Sequence, residues 1–250
     1  FPHFFAGDDK SRAAFAKVHA ELKQLAGAKR KPAWLVFDLR GNGGGDSSLG
    51  AEAIKAFYGE AHWQALEHRV GLRKQYLASE FTRDAFKAWL ADPSFTAHHE
   101  SLARLVPRLE AAVQANQVLV DDPDQAPMDA VAAERYLSTA AARRGATRVA
   151  VLIDRNCFSS CMNFLLHLQA MPSTLVLGEP TQNGWSAYGE IQSQALPSGR
   201  GALYVPIAYY AGGQQRREPF VPQIPYAGNM ADSKALLDWV GRQLDGVARR

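Results

Sequence analysis

The chain has 250 residues, of which 47% are hydrophobic and 21% charged, and its formal net charge at pH 7 is +3. This composition is typical of a globular protein with a sizeable buried core. No apolar run approaches the roughly 20 residues that a membrane-spanning helix needs. Because the net charge is small and the basic residues are scattered in short clusters, the sequence does not indicate nucleic-acid binding.

The chain begins at Phe1, without an initiator methionine or a signal peptide. We therefore expect it to be a processed or excised piece of a longer protein, with residues upstream of Phe1 missing.

The first elements are predicted in the order helix, strand, loop, helix. Apolar residues at helical spacing predict a helix over Asp9–Ala28, and an apolar run predicts a buried strand over Trp34–Leu39. A second helix is predicted over Ser47–Tyr58. The loop between strand and helix contains Gly41, Gly43, Gly44 and Gly45.

The segment from about 60 to 147 has a different character, rich in Ala, Leu, Glu and Arg. Its patterns predict helices near 79–91, 98–115 and 128–144, so we interpret it as a helical insertion. Two roles remain open for it: a structural insertion, or a lid over a binding site.

The remainder of the chain returns to alternating strands and helices. A helix is predicted over Ser159–Ala170 and another over Asp232–Val247. Strands are predicted at four places: Val149–Asp154, Thr174–Leu177, Ala187–Leu196 and Ala202–Tyr209. The alternation predicts the α/β class.

Two turns that could take part in binding or catalysis follow buried strands. The glycine-rich loop at 41–45 lets the backbone approach a ligand closely, and its N–H groups lie near a helix N-terminus, where negative charge is stabilised. Ser159 follows the strand at 149–154 and precedes a helix. This serine could be a helix N-cap, or a nucleophile on a sharp turn that faces backbone N–H donors.

Cys157 and Cys161 lie four positions apart, on either side of that serine. A local disulfide and two buried free thiols are both compatible with this spacing. The spacing does not match a zinc site, so we expect no metal.

Five segments of the chain resemble, in their order, the motifs of the S41 serine peptidases, a family that includes tail-specific and tricorn-type proteases. These segments are D-L-R-G-N-G-G-G at 38–45, the strand and serine at 149–161, G-E-P-T at 178–181, L-P-S-G at 196–199 and V-P-Q-I-P at 221–225. The resemblance covers roughly 1–60 and 147–250.

The resemblance implies a ClpP/crotonase-like α/β fold, a spiral of ββα units, with the helical insertion at about 60–147. It implies that residues 1–250 form one peptidase catalytic domain and that an upstream sub-domain is absent from this chain. It also implies hydrolysis of peptide bonds through an acyl-enzyme, in peptides or unfolded proteins, without a cofactor.

Carried over by position, the resemblance makes Ser159 the nucleophile. The N–H of Ser160 and that of Gly43 or Gly44 become the oxyanion donors. Glu218 lies where the tricorn-like branch has a glutamate, although the surrounding residues match poorly and a surface ion pair with Arg216 or Arg217 is the favoured alternative.

The general base has no clear candidate. The Ser/Lys branch of the family has a lysine just after G-E-P-T, where this chain has Gln182–Trp185. The family also has an acidic residue after its serine, and this chain has Met162 and Asn163 in that region. The seven histidines are more typical of structural positions. We therefore expect the base to lie upstream of Phe1.

Two further hypotheses remain beside the serine endopeptidase. A non-catalytic member of the fold could bind peptides or apolar ligands in the same cleft, and the missing lysine favours it. The glycine run could also indicate a nucleotide-binding domain, but an acidic ribose partner about 20 residues on is not well placed. A disulfide beside the serine would indicate a periplasmic or secreted protein. The sequence does not indicate an oligomeric state.

Overall fold

A computed structural model describes residues 3–4, 8–125, 129–143, 147–212 and 218–248. The chain divides into two compact units. The first comprises Phe1–Val70, Asp129–Trp185 and Arg216–Arg250, and the second comprises Gly71–Met128 and Ser186–Gln215. The predicted insertion at about 60–147 is thus divided between the two units.

The described residues form eight α-helices, eight strands and one 3₁₀ turn at Pro93–His98. The helices are α1 (Asp9–Gly27), α2 (Ser47–Tyr58), α3 (Glu60–Val70), α4 (Glu80–Ala91), α5 (His99–Gln114), α6 (Ala130–Arg143), α7 (Ser160–Gln169) and α8 (Ser233–Ala248). The strands are β1 (Trp34–Asp38), β2 (Leu72–Leu77), β3 (Leu119–Asp121), β4 (Arg148–Ile153), β5 (Leu175–Gly178), β6 (Tyr188–Ala195), β7 (Ala202–Gly212) and β8 (Ile224–Pro225). The predicted α/β class is confirmed.

The first unit is built on a parallel sheet with strand order β1-β4-β5-β8. Val149–Ile153 of β4 is buried throughout, as expected for a strand of a parallel sheet that is covered on both faces. Helix α8 packs on the face that carries Ala150 and Leu152. Phe164 of α7 packs against Phe37, which belongs to the opposite face. The sheet therefore places the carboxyl ends of β1 and β4 side by side.

The second unit contains an antiparallel sheet with strand order β3-β2-β7-β6. Its core joins Phe86 of α4 and Leu105 and Leu109 of α5 to Ile207 of β7. The three helices predicted within 60–147 are present at nearly the predicted bounds. The strands β2 and β3 were not predicted there, because β2 carries three successive polar residues, Arg73–Gln75, and is specified by its pairing with β7.

No helix among the residues described above is long and apolar enough to cross a membrane.

Candidate active site

The glycine-rich loop leaves the carboxyl end of β1 in a conformation that glycine favours. Gly41, Gly44 and Gly45 have positive φ angles of 71°, 101° and 129°, in a region that residues with a Cβ rarely enter. The loop is held from inside by Asn42, which is fully buried and accepts the Gly44 N–H at its Oδ1 over 2.9 Å. The loop is therefore a defined structure whose backbone N–H groups have fixed directions.

Ser159 lies in the equivalent turn after β4 and has φ 54° and ψ −122°. A positive φ is uncommon for a residue with a side chain, and such strain is concentrated at functional sites. The combination of a buried strand, a strained serine and a helix is also the arrangement that exposes the nucleophile of the α/β-hydrolases.

The N-cap explanation for this serine is not supported by its contacts. The side chains of Asp8, Asp46 and Ser79 each accept an N–H at the start of α1, α2 and α4, as N-caps do. Ser159 occupies the N-cap position of α7, but its hydroxyl makes no such bond. The Ser159 side chain therefore does not cap α7 in this structure.

The glycine-rich loop and the turn at 155–159, which we call the serine turn, are in direct contact at Gly44. A Cβ added to Gly44 would lie 2.7 Å from the Ser159 Cβ, 2.9 Å from the Phe158 carbonyl oxygen and 3.1 Å from the Ser160 nitrogen. Real Cβ atoms do not approach other heavy atoms so closely. Only glycine fits at position 44, and the predicted pairing of the glycine-rich loop with the serine turn is present in the structure.

Two hydrogen bonds tie the turns together. The Phe158 N–H donates to the Asn42 carbonyl over 3.1 Å, and the Ser160 hydroxyl donates to the Gly45 carbonyl over 2.5 Å. The Ser160 side chain is thus a structural link, while its backbone remains in the first turn of α7.

Of the predicted oxyanion donors, the Gly44 N–H is already bound to Asn42. The Gly43 and Ser160 N–H groups donate to no other group within the part of the chain that the structure describes. Position 43 is also open, since a Cβ added there would meet nothing within 4 Å. Of the predicted donors, Gly43 and Ser160 therefore keep N–H groups that bind no other group among the described residues.

Cys157 and Cys161 form a disulfide, with Cα atoms 5.4 Å apart. Both residues are fully buried. Of the two alternatives that the sequence left open, the structure has the disulfide, and this bond encloses Ser159 in a short covalent loop.

His167 packs behind the serine turn. Its ring stacks on Trp63 with centroids 4.4 Å apart, and its Nδ1 donates to the Asn163 carbonyl over 2.7 Å. Burial lowers the pKa of His167 to about 4, so the ring is neutral at pH 7. This histidine has the structural role that the sequence predicted.

The remaining histidines differ in their surroundings. His62 stacks on Tyr58 in the interior of the first unit. His3 is exposed and precedes Phe4, whose N–H donates to the Gly44 carbonyl over 2.9 Å. The others lie on α1, on α3, and at the start of α5: His19, His68, His98 and His99.

The segment Gln182–Trp185, which stands where the Ser/Lys branch has a lysine, is bonded to α7. The Trp185 Nε1–H donates to the Asn163 side-chain oxygen over 2.6 Å, and the Trp185 ring is buried. Thr181 pairs with Phe220 through two hydrogen bonds, which bring the segment around Glu218 alongside this loop.

Glu218 is exposed, and its neighbour Pro219 forms an antiparallel bridge with Gly184. The alternative ion-pair partners, Arg216 and Arg217, lie outside the described residues. The role of Glu218 stays a prediction.

Two polar residues of the site were not predicted from the sequence. Asn42 and Asp154 are both buried, and their side chains accept backbone N–H groups of the glycine-rich loop. Asp154 had a detectable signal, because Asp-Arg-Asn directly after a buried strand is typical of a turn in which the aspartate binds the backbone.

A family model for peptidase family S41 matches residues 2–220. This chain belongs to peptidase family S41. A peptidase function in general is therefore supported, and the resemblance of the sequence motifs to this family is confirmed. Among curated proteins, none matches the sequence.

One solved structure, at low sequence identity, shows the same fold, and two others are weaker matches. Mature CPAF in complex with lactacystin is 14% identical, with a TM-score of 0.53 over 99% of this S41 chain and 49% of that chain. A lipoprotein from Streptococcus agalactiae is 12% identical, with a TM-score of 0.40 over 91% and 61% of the two chains. The photosystem II D1 C-terminal processing protease is 16% identical, with a TM-score of 0.42 over 90% and 41%. This S41 chain thus spans about half the length of the structures it matches. The spiral of ββα units stays a prediction.

Proposed function

We propose that this chain is the catalytic domain of a serine-type endopeptidase that cleaves peptides or unfolded proteins through an acyl-enzyme at Ser159. The observation that carries the proposal is the strained Ser159, which lies against Gly44 of the glycine-rich loop. Membership of peptidase family S41 supports the substrate class.

In this mechanism the Ser159 Oγ attacks the carbonyl carbon of the scissile peptide bond while a base takes the hydroxyl proton. The electron pair of the carbonyl moves to its oxygen, which the Gly43 and Ser160 N–H groups stabilise as an oxyanion. The C–N bond then breaks, the proton passes to the leaving amine, and water hydrolyses the resulting ester. One oxyanion donor is worth about 10²–10³ in rate.

The base belongs, in this proposal, to a histidine-bearing segment upstream of Phe1. Phe4 supports an origin on that side, because its N–H donates to the Gly44 carbonyl and its own carbonyl accepts the Asp46 N–H over 2.5 Å. Phe4 therefore lies directly beside the loop.

The disulfide supports a periplasmic or secreted location, since structural disulfides form and persist in oxidising compartments.

The decisive experiment is labelling with a fluorophosphonate probe. We expect the full-length protein to be labelled at Ser159 and the Ser159→Ala variant to lose all labelling and all hydrolysis of fluorescein-labelled casein. The Ser138→Ala variant, which changes an exposed serine of α6 away from the two turns, is the matched control and should be labelled normally. Labelling of Ser159→Ala at the wild-type level, or an unlabelled wild-type protein, contradicts the proposal. Casein binding without labelling would instead support the non-catalytic binding module.

Glu218 is proposed to act as the carboxylate that orients the base. The Glu218→Gln variant keeps the size of the side chain but removes its charge, and we expect casein hydrolysis to fall about 100-fold or more. Glu60→Gln, at an exposed glutamate whose carboxylate lies 3.3 Å from Lys55, is the control for a lost surface charge. Equal activity of the two variants would mean that Glu218 is an ordinary surface residue.

A further inference from the structure

We propose that Asp154 is a positioning residue, which holds the glycine-rich loop and the serine turn in the relative arrangement that catalysis needs. The inference rests on the proposed peptidase function and concerns a residue whose hydrogen bonds within the described part of the chain do not include Ser159. It follows from the hydrogen bonds of a single buried carboxylate.

Asp154 follows β4 directly and is 7% exposed. Its Oδ2 accepts the Gly41 N–H over 3.0 Å, and its Oδ1 accepts the Asn156 N–H over 2.9 Å. The Asn156 side-chain amide donates to the same Oδ2 over 3.0 Å. One carboxylate therefore binds the first glycine of the loop and the second residue of the serine turn at the same time.

These bonds act where the sheet no longer aligns the two segments. The Leu39 N–H still donates to the Leu152 carbonyl over 2.9 Å, in continuation of the pairing between β1 and β4. Beyond that point Gly41 has a positive φ and the backbone of the loop leaves the sheet. Asp154 replaces the lost strand pairing with a side-chain bridge between residues that lie 113 positions apart in the chain.

The carboxylate is suited to positioning rather than to proton transfer. Both of its oxygens already accept N–H donors, and hydrogen bonds to an ionised acceptor are about twice as strong as those between neutral groups. The Asp154 backbone carbonyl also accepts the Cys157 N–H over 3.2 Å, which continues the turn towards Ser159. Loss of the bridge would allow the donors of the loop to shift relative to the serine, and a misplacement of about 1 Å can cost about 100-fold in rate.

The test is the Asp154→Asn variant, because an amide replaces one acceptor oxygen with an NH₂ group that cannot accept the Gly41 or the Asn156 N–H. We expect the rate of fluorophosphonate labelling to fall about 10- to 100-fold. With fluorescein-labelled casein, kcat should fall by the same factor and KM should stay within twofold of the wild-type value. Hydrogen exchange should become faster in both segments, 41–45 and 155–160.

The matched control is Asp38→Asn, the same substitution at the carboxylate that ends the neighbouring strand β1 and pairs with Arg40 over 2.7 Å. Its labelling rate should remain within threefold of wild type. If the wild-type protein is labelled and Asp154→Asn is labelled within threefold of it, the positioning role is overturned and the proposed peptidase stands. If the wild-type protein is not labelled, the proposed function fails. In that case the exchange measurement still decides about Asp154, since unchanged exchange in the two segments overturns the bridge.

Discussion

Replacement of Gly44 by alanine should abolish most of the activity while the chain still folds. The new Cβ would lie 2.7 Å from the Ser159 Cβ and 2.9 Å from the Phe158 carbonyl oxygen, and the φ of 101° at this position is strained for any residue with a side chain. Because two of the three close atoms belong to the backbone, the clash is relieved only by movement of the serine turn itself. We expect fluorophosphonate labelling to slow by about 100-fold or more and stability to fall by about 1–3 kcal/mol.

The control for backbone strain alone is Gly199→Ala. Gly199 has a φ of 68° in the turn between β6 and β7, and a Cβ there meets nothing within 4 Å. This variant should lose stability in thermal unfolding and keep the wild-type labelling rate. If Gly44→Ala were labelled as fast as Gly199→Ala, the contact between the loop and Ser159 would not be needed for catalysis.

Removal of the disulfide should lower both the stability of the fold and the labelling rate of Ser159. The bond between Cys157 and Cys161 closes a loop of a few residues around Ser159, and the chain-entropy estimate for so short a loop is about 2 kcal/mol of stability. The strained conformation of Ser159 persists only if its surroundings enforce it. We therefore expect the double variant Cys157→Ala and Cys161→Ala to be labelled about 10-fold or more slowly than wild type, because the serine turn can relax.

Reduction of the wild-type protein under partly denaturing conditions, followed by refolding in reductant, should reproduce this loss. The double variant provides the control, since reductant has no bond to break in it and should leave its labelling rate unchanged. Titration of thiols in unfolded, unreduced protein should find none. Two titratable thiols, or a double variant as active as wild type, would contradict this role of the disulfide.

Several elements of the fold were predictable because local signals specify them. Helix α2 has its predicted bounds, Ser47–Tyr58, since Asp46 supplies an N-cap and the apolar residues recur at helical spacing. The continuous apolar run of β4 likewise identifies a strand buried on both faces. The strands β2 and β3 lack such signals, and their pairing in the second unit depends on residues distant in the chain.

The candidate site shows the same division. The serine turn and the glycine-rich loop were recognised from short patterns, and their pairing followed from the general rule that ligands bind at the carboxyl ends of parallel strands. The roles of Asn42 and Asp154 were not recognised. The local turn at Asp154 had a signal in the sequence, but its bond to the distant Gly41 N–H had none. The sequence also left open whether Gly43 or Gly44 supplies the oxyanion donor. The structure favours Gly43, because the Gly44 N–H donates to the Asn42 side chain.

The amino-acid order alone was sufficient for the α/β class, because strand periodicity, glycine clusters and helix caps act within a few residues. The order of its short motifs was sufficient to indicate the family. The geometry of the site came from contacts between distant parts of the chain. The parallel pairing of β1 with β4 brings Gly44 against Ser159, and Asp154 bridges the two turns across 113 positions. Such contacts arise when the sheet packs and buries its polar groups in pairs, so no local pattern records which distant partner each group will find.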